Sequence, residues 1–270
     1  MDSGASGMVD LRERLSEFSY GYGVTREAQK FLELEGMKAT PFLPNLIHEN
    51  QLGFDVSFND AGRLFALQFK LGEELTRFHR GKHQTTAPDL DRPFWRFNVD
   101  VNSDQFVRLY DLELSGAETF YAAPRFRSWT EYEWAFRNER VLKKSMLIRP
   151  SEIHHAIASA GSTSSRHRVV YDTNSKYVCS EPVKVHDSSA YEQLQSRLES
   201  NFASSRLPLW HLVRSAYARS AERGILTVPE VELPSLNDRY PKDTNERFAI
   251  DLGYDAWAHG IQMIFATFNG

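Results

Sequence analysis

The alternation in residues 63–71, RLFALQFKL, constrains this chain more than any other stretch. Phe65, Leu67, Phe69 and Leu71 fall on one side of an extended strand. Leu64, Ala66, Gln68 and Lys70 fall on the other. The first side needs a core to lie against, and the second projects Gln68 and Lys70 together. Residues 59–62, Asn-Asp-Ala-Gly, read as a turn, because Asn and Asp tolerate unusual backbone angles and Gly takes positive φ without a Cβ clash. The expected element is therefore a hairpin, with strands over 53–58 and 63–71. Asp55 on the first strand can reach the place where Gln68 and Lys70 project. A carboxylate, an amide oxygen and an ammonium at one end of a hairpin are an unusual load for a core.

That trio has a definite chemistry. A carboxylate and an amide oxygen are hard donors suited to Mg²⁺, which keeps several waters and few protein ligands. An ammonium beside the metal can orient or help deprotonate a water, or steady charge on a phosphate. A second acid would strengthen such a site. Glu49 stands at the mouth of the first strand, and Glu27 stands on the preceding helix. The plain alternative is an ordinary strand with a solvated polar face, with Asp55 a surface acid. Glu27 has its own plain alternative, complementing the dipole of its helix.

Asp55 followed by Gln68-Phe69-Lys70 resembles the PD-(D/E)XK nuclease motif in its Q-x-K form. Helix with an acid, strand, turn and strand follow one another in the order of that fold's core. The motif-level resemblance runs over about residues 20–70, and the phrases FWRFNV (94–99) and FYAAPRF (120–126) are similar to those of restriction-like nucleases from bacterial defence loci. The resemblance implies an α/β fold with a central mixed sheet flanked by helices, to which the pattern over 188–223 adds a helical C-terminal extension. It implies Mg²⁺- or Mn²⁺-dependent phosphodiester hydrolysis, with DNA as the expected partner. The metal would rest on Asp55, Gln68 and Glu49, with Lys70 at the water. Two positions depart from the family pattern. Gln68 replaces the usual second-strand acid, so the site has one negative charge fewer, and Phe54 stands where a Pro usually precedes the Asp. The Gln68 departure keeps a second reading open: a nuclease-like subunit that binds DNA or a partner protein of a defence complex without cutting.

Bulk properties bound these readings. The 270 residues suffice for one large domain or a domain with a small appendage. A net charge of −4 excludes a generally basic nucleic-acid coat, so any DNA contact needs a local basic patch. A single cysteine, Cys179, excludes an internal disulfide framework and a multi-cysteine zinc site, and it suits a reducing cytoplasm. No apolar run approaches the roughly 20 residues of a membrane span.

Along the chain, the pattern predicts a short helix over 9–19, a loop at SYGYG, and a helix over 26–34 capped by Thr25. Residues 72–93 read as a long polar loop carrying Arg80 and Lys82, placed to grip phosphate or to stand solvated with its charges cancelled. Residues 94–101, 104–114 and 119–123 read as strand, helix and strand, the pattern of a βαβ unit in a mainly parallel sheet. Arg125, just past that strand, is a candidate phosphate contact or an ion-pair partner of Glu131 or Glu133. A helix capped by Thr130, a strand at 145–148, a helical turn at 151–157 and a hairpin around 173–175 follow. The expected division places the nuclease-like core at 1–187, with a helical pair, linker and tail over 188–270 packing on it.

Overall fold

The computed structural model describes residues 15–35, 37–42, 63–81, 84–114, 117–186, 189–202 and 262–268. In chain order these form α1 (Glu17–Leu34), β1 (Met37–Phe42), β2 (Arg63–Phe69), β3 (Glu73–Leu75), β4 (Phe94–Asp100), α2 (Asp104–Leu114), β5 (Glu118–Pro124) and α3 (Trp129–Arg137). Then come β6 (Ser145–Ile148), α4 (Pro150–Ser159), β7 (Arg166–Tyr171), β8 (Lys176–Cys179), β9 (Pro182–Val185), α5 (Ala190–Phe202) and β10 (Gln262–Phe268).

The strands make two sheets. The first has the order β1-β10-β2-β5-β6, and the second has the order β3-β4-β7-β8-β9. The first sheet is mixed: β2 and β5 run parallel, while the β1–β10, β10–β2 and β5–β6 pairs are antiparallel. The second is antiparallel throughout. The α/β class with a mixed sheet and flanking helices therefore stands.

All seven residues of β5 are buried, as expected for a strand covered on both faces. One face carries Phe120 and Ala122, joined by Phe65, Leu67 and Phe69 of β2, and packs against Tyr20, Val24, Ala28 and Leu32 of α1, with α3 and α5 alongside. The other face carries Tyr121 and Ala123 and meets Trp95, Phe97, Val169 and Tyr171 of the second sheet, with α2 and α4 completing this core. A small third cluster, Val170, Tyr177 and Cys179, lies on the outer face of the second sheet under Phe78 and Leu90. Burial there pushes the Cys179 thiol up to about 12, so it behaves as a small apolar side chain.

Two buried polar contacts join the sheets. The Tyr171 hydroxyl donates to the Pro124 carbonyl oxygen at 2.9 Å. The fully buried Lys176 ammonium donates to the Leu147 carbonyl oxygen at 2.8 Å and lies 3.7 Å from the Glu152 carboxylate.

Several local expectations are corrected. The hairpin is one of them. β2 pairs along one edge with β10 and along the other with β5, so over 65–67 no edge is left for a hairpin partner. Residues 53–58 lie outside the described residues. The βαβ reading of 94–123 also fails: β4 belongs to the second sheet, β5 to the first, and α2 crosses between them. Alternation in FWRFNVD fits an antiparallel strand as well as a parallel one, and only the register separates the two. The loop at SYGYG is instead the start of a continuous α1, capped by the Ser16 hydroxyl, which accepts the Ser19 N–H at 3.0 Å. Gly23 is there for closeness, since a Cβ would stand 3.1 Å from the Tyr132 ring and 3.2 Å from Val141. α3 is capped by Ser128 with Glu131 in a reciprocal capping box, two residues earlier than Thr130. The expected 145–148 strand and the hairpin around 173–175 are present as β6 and β7–β8.

The joint between the sheets yields a prediction. A Cβ at Gly72 would collide with the Tyr171 hydroxyl and lie 3.1 Å from Trp95 Cβ. Tyr171 is fully buried and tied to Pro124, so it has little room to give. Gly72→Ala should lower stability by about 1–3 kcal/mol, read as a reduced urea midpoint at unchanged slope.

Candidate functional site

Gln68 and Lys70 do share a side of β2. Ala66 on that side belongs to the core between the sheets, and Lys70 Nζ lies 6.0 Å from the centre of the Tyr121 ring in the same direction. Lys70 sits just past the last residue of β2, where its backbone N–H still donates to the Ala122 carbonyl oxygen at 3.0 Å. Its ammonium donates to Gln105 Oε1 on α2 at 2.9 Å. The side chain is half-buried, and that burial lowers the Lys70 pKa, while the Glu17 carboxylate works in the opposite sense.

Glu17 is the acid that the structure brings to Lys70. It lies in the first turn of α1, and its carboxylate accepts the Leu71 backbone N–H. Desolvation raises the Glu17 pKa, with Lys70 and that hydrogen bond opposing the rise. The carboxylate also suits the positive end of the helix dipole. The signal for it in the sequence was Ser16-Glu17, a cap followed by an acid, but breaking the helix at SYGYG put Glu17 on a separate element.

Gln68 is buried, with 3% of its surface exposed. Its Nε2 donates to the Phe69 carbonyl oxygen at 3.1 Å, but its Oε1 has no hydrogen-bond partner among the described residues. An unpaired buried acceptor costs about 1–3 kcal/mol. That cost disappears if a donor or a cation meets the oxygen. A hard amide oxygen held in this way fits a small divalent ion, although it brings no charge. The charge would come from Asp55 and Glu49, which lie outside the described residues. Among the described residues, no three His, Cys, Asp or Glu side chains gather closely enough to hold a metal.

The remaining candidates are placed elsewhere. Glu27 is buried in α1, where its two carboxylate oxygens accept the Val141 and Leu142 N–H groups at 2.9 and 2.8 Å. It caps the turn before β6, and burial raises its pKa against those two hydrogen bonds. It is therefore neither a partner of Lys70 nor a dipole complement. Arg80 belongs to the loop that covers the outer face of the second sheet, and its guanidinium donates to Thr85 O at 3.3 Å. The same loop is pinned by Glu181, which accepts the Thr85 N–H at 2.9 Å, and by Asp172, which accepts the Asp91 N–H at 2.6 Å. The loop thus serves as a lid on an apolar cluster, and its contacts are with the sheet opposite from Lys70. Lys82 lies outside the described residues. Arg125 follows β5 with its N–H on the Lys144 carbonyl oxygen at 2.8 Å, and its positive charge acts on the buried phenols Tyr20 and Tyr171. Glu131 is committed to the Arg127 and Ser128 backbone, and Glu133 to Arg137.

What the described side chains can do is limited and specific. A half-buried amine is held by an amide and acted on by a nearby acid, on the same side of the chain as a buried amide oxygen without a hydrogen-bond partner among the described residues. The amine can donate to an anion, or it can take up a proton, since burial makes it release its own more readily than free lysine does.

The electrostatics make a prediction. The Glu17 charge holds the Lys70 pKa up, so Glu17→Gln should move it further below the usual lysine range. A ¹³Cε titration of Lys70 reads this directly, and an unchanged or higher midpoint would contradict the pairing. Comparison of the chain with family models, with curated proteins and with solved structures returns no match.

Proposed function

We propose that the chain is a metal-dependent nuclease, acting on DNA in a bacterial defence or restriction setting. The observation that carries this reading is that a buried Gln68 Oε1, without a hydrogen-bond partner among the described residues, and a desolvated Lys70 amine lie on one side of the chain at the end of β2. Structural lysines and glutamines normally satisfy their polar atoms, so an unsatisfied one beside a tuned amine is a functional candidate.

Asp55, Gln68 and Glu49 are the residues assigned to hold Mg²⁺ or Mn²⁺, which when bound would supply Lewis-acid polarisation of the scissile phosphate. Lys70 takes the part that a protein amine can take. Its ammonium donates to a non-bridging phosphate oxygen as charge builds there, and its neutral form holds the attacking water by accepting a hydrogen bond. Gln105 fixes the direction of the amine through its 2.9 Å contact. Glu17 balances the charge and keeps the proton affinity from falling further.

The neutral Gln68 favours a second reading. With one carboxylate fewer, the site grips a cation less strongly, and the chain then works as a nuclease-like subunit that binds DNA or a partner protein without cutting.

Plasmid DNA incubated with the purified chain and Mg²⁺ or Mn²⁺ separates the two. Under the first reading the plasmid is cut, EDTA stops the cutting, and Lys70→Ala slows it by about a hundredfold or more with the circular dichroism spectrum unchanged. Uncut plasmid with salt-dependent DNA binding supports the second. Cutting that survives Lys70→Ala at the wild-type rate removes Lys70 from the mechanism.

A further inference from the structure

A run of rings crosses the outside of α1 and α3. Phe18 is 71% exposed, Tyr22 51% and Trp129 37%. Large apolar groups left this open call for an explanation when they are contiguous. Here contacts join Tyr22 to Trp129: Tyr22 stacks on Phe136 at 5.9 Å and 27°, Phe136 meets Tyr132 at 5.7 Å, and Tyr132 meets Trp129 at 5.2 Å. The Arg26 guanidinium lies 4.6 Å above the Phe136 ring. Phe18, Tyr22 and Arg26 are spaced by four residues, so they line one face of α1 at steps of about 6 Å.

The position of this face is informative. Its first ring, Phe18, directly follows Glu17, whose carboxylate holds the Leu71 amide next to Lys70. The stripe thus begins at the same end of α1 as Glu17 and runs from there along the helix. The neighbouring acids Glu139 and Glu133 are paired with Lys30 and Arg137, and Arg26, which also acts on Glu27 and Glu139, sets a cation among the rings. Farther along α3, Lys144 and Arg140 stand 4.8 and 5.7 Å from the Trp134 ring.

We infer that this face is a stacking platform for single-stranded nucleic acid, guiding one strand toward Lys70. The inference rests on the nuclease reading for its direction and supplies the strand state of the substrate. Exposed rings at regular steps accept bases without regard to sequence, because every base offers a flat π-face, and interleaved cations meet the phosphates. A duplex keeps its bases stacked inward, so it gains nothing from such rings.

The test is binding in EDTA, where no metal-dependent cutting intervenes. Fluorescence anisotropy compares the full chain on labelled oligothymidine of about 16 nucleotides with a duplex of equal length. The single strand should bind at least about tenfold more tightly. Tyr22→Ala and Trp129→Ala should each weaken that binding by about tenfold, and Tyr22→Trp should restore it. Both side chains are exposed, and circular dichroism confirms that the variants fold. Equal or tighter duplex binding, no binding, or single-strand binding untouched by both alanine variants would overturn the platform. So would loss of self-association in Tyr22→Ala without any oligonucleotide binding, which would make the face a protein contact. Variant-sensitive binding without plasmid cutting keeps the platform and removes the hydrolase. Plasmid cutting with variant-insensitive binding does the reverse.

Discussion

A strand buried at every position imposes the architecture. β5 has no residue to show to solvent, so its sheet needs a layer on each face. α1, α3 and α5 supply one layer, and the antiparallel second sheet with α2 and α4 supplies the other. Because the second layer is itself a sheet, its polar backbone and its tyrosine and lysine ends must be satisfied inside. Tyr171 on Pro124 and Lys176 on Leu147 do this while fixing how the sheets meet. Gly72 stands beside that joint, on the short link between β2 and β3.

The same layering produces the candidate site. β2 leaves the core at Lys70, where the strand ends but one ladder hydrogen bond persists. The amine therefore emerges between α1 and α2, half out of water. Gln105 and Glu17 reach it from those two helices. Gln68, two residues earlier on the same side, is drawn fully inside, where its amide oxygen meets no donor among the described residues. A polar group is thus unsatisfied at the depth where leaving it so is costly, next to an amine already shifted by burial. The exposed rings Phe18 and Tyr22 belong to the same helix as Glu17.

Legibility differed between kinds of element. Period-2 alternation found β2, β4, β6 and the β7–β8 hairpin, because side-chain direction in a strand is fixed by the pleat. It could not choose partners. Alternation over 63–71 suggests a neighbour from the adjacent segment, whereas β2 lies between β5 and β10, the latter nearly two hundred residues away. Glycine signals misled at Gly21 and Gly23. They read as a loop, yet both sit inside α1, and at Gly23 Tyr132 and Val141 approach too closely for a Cβ. Glu27 reads in the sequence as a further acid for the site or a complement to its helix dipole, and only the turn at 141–142 makes it a buried cap.

The sequence by itself determined that Gln68 and Lys70 leave one side of a strand whose other side is apolar, since that follows from local geometry alone. It also placed strands over 94–101 and 119–123, seen as β4 and β5, and read Cys179 as a small buried apolar residue. Tertiary structure alone decided that Glu17, and not Glu27, stands at Lys70. It also decided that the basic loop after β3 covers the far face of the second sheet. The reason is physical: alternation reports which way a side chain points, while what it meets depends on contacts between segments far apart in the chain, whose pairing no local pattern encodes.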